Sequence, residues 1–174
     1  LSNDSTVQLT FNGSDTLPLL IKGKPYVIYV REKLMSSYKR YAIMFVNVFS
    51  LEEAIITDEK PYRDGNDGSK HILNIRQPTI VDNGQSIMFI TEKYATGDQL
   101  VKVNISSGVW TELFAADWYE SLNSEKFNNH YLIGKSMVGK RGRDIYYKLV
   151  NALGEIVKEF EDKESMNAFK KGIQ

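Results

Sequence analysis

The sequence predicts a mainly β fold of repeated antiparallel β-meanders, with one short helix at the C-terminal end. Apolar and polar residues alternate in many stretches, as in Val101, Val103 and Ile105 of "QLVKVNI", and this period is typical of strands with one buried face. Clusters of Gly, Asn and Asp separate these stretches, for example at 82–85 and 106–108, and favour turns. The same strand-and-turn layout occurs three times, which indicates a structural repeat.

The repeated layout is strand, polar loop, strand, tight turn, strand, and it covers 24–59, 79–116 and 130–162 within one predicted domain, 1–174. The strand stretches are "YVIYV", "YAIMFVNV" and "EEAIITD", then "SIMFITEK", "QLVKVNI" and "VWTELF", then "YLIGKSM", "IYYKLVNA" and "EIVKEFED". Most are rich in β-branched and aromatic residues, as buried strands are. We therefore expect three similar β-meanders.

One dipeptide marks the same place in each segment. Val-Asn occurs at Val46-Asn47, Val103-Asn104 and Val150-Asn151, each time at the end of the middle strand. An Asn side chain can accept hydrogen bonds from the backbone that begins a turn, and Asn tolerates left-handed conformations. The three asparagines are therefore predicted to start the three tight turns.

The C-terminal stretch "DKESMNAFKKG" predicts a helix over 162–171. Asp162 is a suitable N-cap, Met166 and Phe169 lie three residues apart, and two lysines fall in the last turn before Gly172. A further helical turn or two is expected within 115–127.

The stretch 81–113 resembles a blade of the TolB-type, WD40-like β-propeller repeats. The matching residues are Asn83-Gly84, Ser86-Ile87, Phe89, Leu100, Val103, Gly108 and Trp110. The resemblance implies four-stranded meander blades that are usually used for binding and not for catalysis. The third segment departs from the pattern at Gly134, and the first segment lacks the turn glycine.

Length leaves two arrangements open, because a blade takes about 40–45 residues and a closed propeller usually has at least four blades. In a small propeller, "VQLTF" and "LPLLIKG" would begin a blade that the C-terminus completes. In a partial propeller, the sheets form an open stack. Its edges need cover, which the final helix, a partner chain or a homo-oligomer could supply.

Composition restricts the partners and the compartment. The chain has 22 Lys plus Arg, 22 Asp plus Glu and a formal net charge of zero, which argues against nucleic acid or anionic membrane as the main partner. The basic stretch "GKRGR" at 139–143 is interpreted as a solvated hairpin loop. The sequence contains no cysteine, which excludes disulfides and Cys-based zinc sites and fits a bacterial extracytoplasmic protein.

Membrane attachment is expected only through an anchor outside this chain, since no apolar stretch approaches the roughly 20 residues that span a bilayer. The predicted location is therefore extracytoplasmic, as a secreted protein, a lipoprotein or a membrane-anchored protein. The expected partner is another protein or a cell-envelope ligand.

The sequence offers no recognisable catalytic set, and we assign no catalytic residue. His71 and His130 each stand at the start of a strand and are interpreted as structural. A hydrolase with a site between blades stays an alternative, which a histidine beside a carboxylate in a cleft would favour.

Calcium is the one cofactor considered, in the stretch "DGNDGS", where Asp64, Asn66 and Asp67 could donate oxygen ligands. The spacing does not fit an EF-hand, so a flexible turn is the favoured interpretation. A calcium-stabilised structural domain is the second alternative.

Three aromatic residues are the candidate ligand-binding residues: Trp110, Trp118 and Tyr119. Trp118 and Tyr119 are placed in a connection beyond the second segment, where exposed aromatics suit a binding surface. Trp110 is either the core aromatic of the blade or the start of a binding face. The leading hypothesis is a non-enzymatic binding or protein-interaction module.

Overall fold

The structure is a computed structural model that describes residues 8–10, 13–36, 39–58, 72–93, 97–122, 124–139 and 142–173. The described residues form three antiparallel four-stranded sheets and one C-terminal helix, as the sequence predicts. The strands are β1 (Asp15–Leu20), β2 (Tyr26–Leu34), β3 (Lys39–Asn47), β4 (Glu53–Thr57), β5 (Leu73–Val81), β6 (Ser86–Lys93), β7 (Gly97–Asn104), β8 (Trp110–Ala115), β9 (Trp118–Leu122), β10 (His130–Gly139), β11 (Gly142–Val150) and β12 (Ile156–Phe160), and the helix is α1 (Lys163–Ile173).

Each sheet is a meander of four consecutive strands: β1–β4 form sheet 1, β5–β8 sheet 2 and β9–β12 sheet 3. The sheets stack face to face in chain order. One apolar core joins sheets 1 and 2 through residues such as Ile28, Ile43 and Phe89. A second core joins sheets 2 and 3 through Met88 and Tyr131. We call the side of sheet 1 or sheet 2 that meets the next sheet its far face, and in sheet 3 the far face is the side away from sheet 2. The opposite side of each sheet is its near face.

Register relates the faces of the three sheets. Asn47 lies opposite Tyr26 and Asn104 lies opposite Ser86, and Val150 lies opposite Tyr131. Counting from these pairs makes Ile28, Met88 and Leu132 equivalent, and all three point to the far face. The repeat found in the sequence is therefore a repeat of side-chain direction as well as of strand order.

Helix α1 covers the far face of sheet 3. Met166, which is buried, packs with Leu132 and Phe160, and Phe169 lies beside this cluster. The predicted N-cap is confirmed: the Ser165 backbone N–H donates to Asp162 Oδ1 (2.8 Å), and the Asp162 N–H donates to Ser165 Oγ (3.3 Å).

The three predicted asparagine turns are confirmed. Asn47 Oδ1 accepts the backbone N–H of Phe49 (2.9 Å), Asn104 Oδ1 that of Ser106 (3.1 Å) and Asn151 Oδ1 that of Leu153 (3.0 Å). In each turn a later backbone N–H also donates to the asparagine carbonyl, from Leu51, Gly108 and Gly154 respectively. These three residues all have positive φ, of 59°, 68° and 87°. Leu51 therefore occupies the place of the glycine that the first segment lacks.

The first strand of each sheet begins before the corresponding sequence segment. In β1 and β5 a bulge interrupts the alternation, where Leu17 and Gln77 have positive φ and each precedes a proline. These bulges explain why the period of two is weak there. The connection predicted for Trp118 and Tyr119 is wrong: both residues lie in β9, and the helical signal nearby reduces to a 3₁₀ turn at Glu125–Phe127.

Turns of one sheet fit against the last strand of the preceding sheet. A Cβ on Gly108 would lie 2.6 Å from the carbonyl oxygen of Ile56, and a Cβ on Gly154 would lie 3.6 Å from Leu113 Cδ2. Ile56 and Leu113 stand at equivalent bulges of β4 and β8.

Among the described residues, no helix has the length and apolarity that a membrane span requires.

Candidate interaction surface

The connections between strands one and two and between strands three and four lie at the same end of each antiparallel meander. We call this end the turn rim, and it consists of 21–25 and 48–52 in sheet 1, 82–85 and 105–109 in sheet 2, and 124–129 and 151–155 in sheet 3. Three asparagine turns therefore project from one end of the stack.

Contacts between sheets align these turns. Ile21 lies so close to Gly84 that a Cβ there would be 2.9 Å from Ile21 Cγ2. Lys102 Nζ lies 3.3 Å from the Asp82 carboxylate and donates a 3.3 Å hydrogen bond to the Ala152 carbonyl oxygen. The turn rims of neighbouring sheets are therefore one continuous surface.

Large apolar side chains stand exposed on this rim. Phe49 is 85% exposed, Leu153 79% and Val109 61%, and Leu20, at the end of β1, is 78% exposed. Phe49 and Leu153 occupy the same turn position, two residues after the turn asparagine. Ser106 stands at this position in sheet 2, so an apolar side chain occupies it in two of the three asparagine turns.

Sequence reasoning missed this set, although a signal was present. Phe49 and Leu153 each follow a Val-Asn dipeptide by two residues, inside a stretch that was already assigned to a turn. An apolar residue inside a predicted turn is expected to be exposed, because loops run over the surface.

Trp110 packs between sheets 1 and 2. Its indole Nε1 donates to Thr57 Oγ1 (2.8 Å), and its ring meets Phe89 edge to face at 5.4 Å. Of the two roles left open for Trp110, the structure shows inter-sheet packing.

Trp118 and Tyr119 lie on opposite faces of β9. The Trp118 ring rests on Gly134, its partner on β10, and a side chain at Gly134 would collide with it. Tyr119 is buried, and its hydroxyl lies against Gln77, Thr79 and Met88 of sheet 2. Packing accounts for both rings, and ligand binding by these residues stays a prediction.

Of the remaining sequence candidates, His130 lies among the described residues. His130 Nδ1 lies 3.1 Å from the Asn128 carbonyl oxygen, and its ring meets Phe127 edge to face. His71 and the calcium candidates Asp64, Asn66 and Asp67 lie outside the described residues.

A charge network lies on the near face of sheet 1. Arg31 Nε and Nη2 donate to the two oxygens of Asp15 (2.8 and 2.9 Å), and Nη1 and Nη2 donate to those of Glu53 (both 2.9 Å). Nη2 also lies 3.0 Å from the Tyr29 hydroxyl oxygen. The Arg31 side chain is 11% exposed and that of Asp15 is 7% exposed, so the pair is largely withdrawn from water.

The network shifts the pKa of each of its carboxyls. The Arg31 hydrogen bond lowers the pKa of Asp15 and of Glu53 from their ordinary values, against a smaller opposing effect of burial. Burial, followed by the hydrogen bond to Glu53, raises the pKa of Tyr29. At neutral pH the network therefore holds two carboxylates, one guanidinium and a neutral phenol.

Sheet 3 carries an ion pair at the position that corresponds by register to Arg31 and Asp15 of sheet 1. Lys135 Nζ lies 2.8 Å from Asp117 Oδ1, and the Ser136 backbone N–H donates to Asp117 Oδ2 (2.7 Å). Lys135 also reaches sheet 2, since a Cβ on Gly97 would lie 2.9 Å from its Nζ. On sheet 3 this pair is thus part of the contact with the preceding sheet.

Comparisons with known proteins identify the fold. The sequence matches no protein-family profile and no curated protein. The structure is similar to acylaminoacyl peptidase from Pyrococcus horikoshii, with a TM-score of 0.56, 14% identity, and coverage of 86% of this chain and 25% of that one. It is also similar to the β-propeller domain of the trilobed protease from Pyrococcus furiosus, which has an open Velcro topology, with a TM-score of 0.54, 15% identity, and coverage of 88% and 45%.

The stack of three meanders is thus of the β-propeller type. The chain spans about a quarter of the peptidase chain and less than half of the trilobed protease chain. At 14–15% identity the similarity concerns the fold alone.

Proposed function

We propose that this domain is a non-enzymatic protein-interaction module that binds its partner through the turn rim. The observation that carries the proposal is the row of exposed apolar side chains, Phe49, Val109 and Leu153, on equivalent turns of three aligned sheets. Exposed aromatic and aliphatic side chains held by a rigid scaffold are typical of protein contact sites. A propeller domain that accompanies a protease is compatible with such a role.

The finer assignment is part of the same proposal. The residues matched in 81–113 support a TolB-type repeat, and the absence of cysteine from the sequence supports an extracytoplasmic bacterial protein. The domain would then act as part of a secreted protein, a lipoprotein or a membrane-anchored protein. A signal peptide or lipoprotein start in the full-length precursor is the test of location, and a cytosolic start directly before this domain would overturn it.

The binding proposal is tested by selection from a phage-displayed library of random peptides. Wild-type protein serves as the target, and the variant with Phe49→Ser, Val109→Ser and Leu153→Ser serves for comparison. Selected peptides are expected to be rich in aromatic and aliphatic residues and to bind the variant at least tenfold more weakly.

The matched control is Leu34→Ser, because Leu34 is 80% exposed at the opposite end of sheet 1. This variant should bind the selected peptides like wild type. Equal binding to the triple variant, or the same loss with Leu34→Ser, would overturn the assignment of the rim. Unchanged far-UV circular dichroism shows that each variant is folded.

A further inference from the structure

We propose that a cavity on the near face of sheet 1 binds small molecules that carry an ammonium group on an apolar body. This site is separate from the turn rim and does not depend on the function proposed for the rim. The cavity has a volume of about 220 Å³ and lies between Gln8–Thr10 and the sheet, with Val27 and Val46 in its apolar wall and Asp15 and Tyr29 in its polar wall.

The cavity lies on the face of sheet 1 that corresponds to the inter-sheet face of sheet 2. Val27 and Tyr29 are equivalent by register to Ile87 and Phe89 of sheet 2, which pack against the preceding sheet. On sheet 1 the described cover is the short stretch Gln8–Thr10, in which Leu9 packs on the sheet. The cavity lies between this stretch and the sheet.

Size and lining set the apolar part of the ligand. A buried apolar cavity of about 150 Å³ is large enough to hold benzene, so this cavity accommodates a phenyl ring with a short chain. Leu9, Pro18, Val27 and Val46 supply the apolar wall. The ligand body is therefore a small aromatic or aliphatic group.

Charge sets the polar part of the ligand. The network beside the cavity contains two carboxylates, Asp15 and Glu53, and one cation, Arg31, which leaves one excess negative charge. Each Asp15 oxygen accepts one hydrogen bond from Arg31, and Asp15 also accepts one from the Thr10 side chain. With two lone pairs on each oxygen, the carboxylate can accept one more. An ammonium group at Asp15, whose side chain is largely withdrawn from water, balances the excess charge.

Isothermal titration calorimetry with three probes of one size tests the proposal: phenethylamine, 2-phenylethanol and phenylacetate. The amine is expected to bind at pH 7 with a dissociation constant at least tenfold lower than that of the alcohol, and the anion is expected not to bind. No binding by any probe, or equal binding by the amine and the alcohol, overturns the proposal.

Two variants locate the site. Val46→Phe fills the cavity and should abolish binding of the amine. Glu53→Gln removes the excess charge and leaves the cavity lining as it is. The dissociation constant of the amine should therefore rise at least threefold, and that of the alcohol should stay unchanged. Because Val46 is fully buried and its variant can fail to fold, Glu53→Gln decides on its own: an unchanged preference for the amine overturns the proposal. Leu34→Ser, at an exposed residue outside the cavity lining, is the control and should bind all three probes like wild type.

Discussion

At the scale of single residues, the asparagine turns show how a short sequence signal becomes a fixed geometry. In each turn the asparagine side chain accepts a backbone N–H two residues later, and the turn then passes through a residue of positive φ. Glycine takes this conformation without steric cost. Gly108 and Gly154 therefore adopt the positive φ without strain, whereas Leu51 adopts it at a steric cost.

Leu51→Gly is expected to stabilise the protein. A non-glycine residue with left-handed backbone costs about 1–2 kcal/mol, from which the greater flexibility of unfolded glycine subtracts about 0.5–1 kcal/mol. The expected gain in the free energy of unfolding is about 0.5–1 kcal/mol, measured by urea denaturation.

The comparison for this prediction is Gly108→Ala. Its φ of 68° is unfavourable for alanine, and its Cβ would lie 2.6 Å from the Ile56 carbonyl oxygen, so this variant should be less stable than wild type. A lower stability of Leu51→Gly would show that the leucine side chain contributes more than its backbone costs.

At the scale of elements, the sequence predicted the regular parts well. Strands two to four of each sheet fall within the predicted segments, and α1 falls close to its predicted bounds. Alternation identified strands with one well-buried face, such as β11. β2 and β6 are buried on both faces, and their β-branched and aromatic residues identified them. The first strands were predicted less completely, because prolines and bulges break that alternation in β1 and β5. The stretch that forms β9 was assigned to a connection.

The candidate sites were less predictable than the strands. Trp110, Trp118 and Tyr119 were chosen as aromatics, but which face of a strand meets a neighbouring sheet depends on stacking, which the local pattern does not contain. The Arg31 network was missed for a related reason. Asp15 and Arg31 become neighbours only through the pairing of β1 with β2.

Asp162→Ala is expected to destabilise helix α1. The variant loses the carboxylate that accepts the Ser165 N–H, and the loss of an N-cap typically costs about 1 kcal/mol. For a domain of this size the expected decrease in melting temperature is about 2–4 °C, measured by circular dichroism.

Asp162→Asn serves as the matched variant for this helix. It keeps a side-chain acceptor at the N-cap and should melt close to wild type. If both variants melt like wild type, the cap does not limit the stability of α1.

At the scale of the whole molecule, stability depends on contacts between successive sheets, because each core is shared by two neighbours. Asp117 and Lys135 belong to the junction of sheets 2 and 3. Burial alone would raise the pKa of Asp117, but hydrogen bonds from Lys135 and Ser136 outweigh burial and hold the pKa at about 2.

This pKa gives a defined dependence of stability on pH. An unfolded aspartate has a pKa of about 3.9, so the ionised Asp117 carboxylate stabilises the folded state fully above that pH and loses its effect as the pH falls towards 2. The difference in the free energy of unfolding between wild type and Asp117→Asn should shrink by about 2 kcal/mol between pH 5 and pH 2. Urea denaturation at several pH values measures it.

Comparing Asp117 with Asp117→Asn in a protein that also carries Lys135→Met isolates the contribution of the Asp117–Lys135 ion pair. Without the ammonium group, the effect of Asp117→Asn should depend much less on pH. An equally steep pH dependence in both backgrounds would assign the effect to other carboxyls.

Helix α1 also occupies the face on which a further sheet would pack. Each sheet offers the next one a far face, and the far face of sheet 3 is covered by Met166 and Phe169 of the helix. A contact that repeats head to tail between identical units does not close on itself unless its rotation closes a ring, and otherwise it grows into a filament. Because α1 covers that face, a second molecule could pack end to end on sheet 3 only after the helix had been displaced.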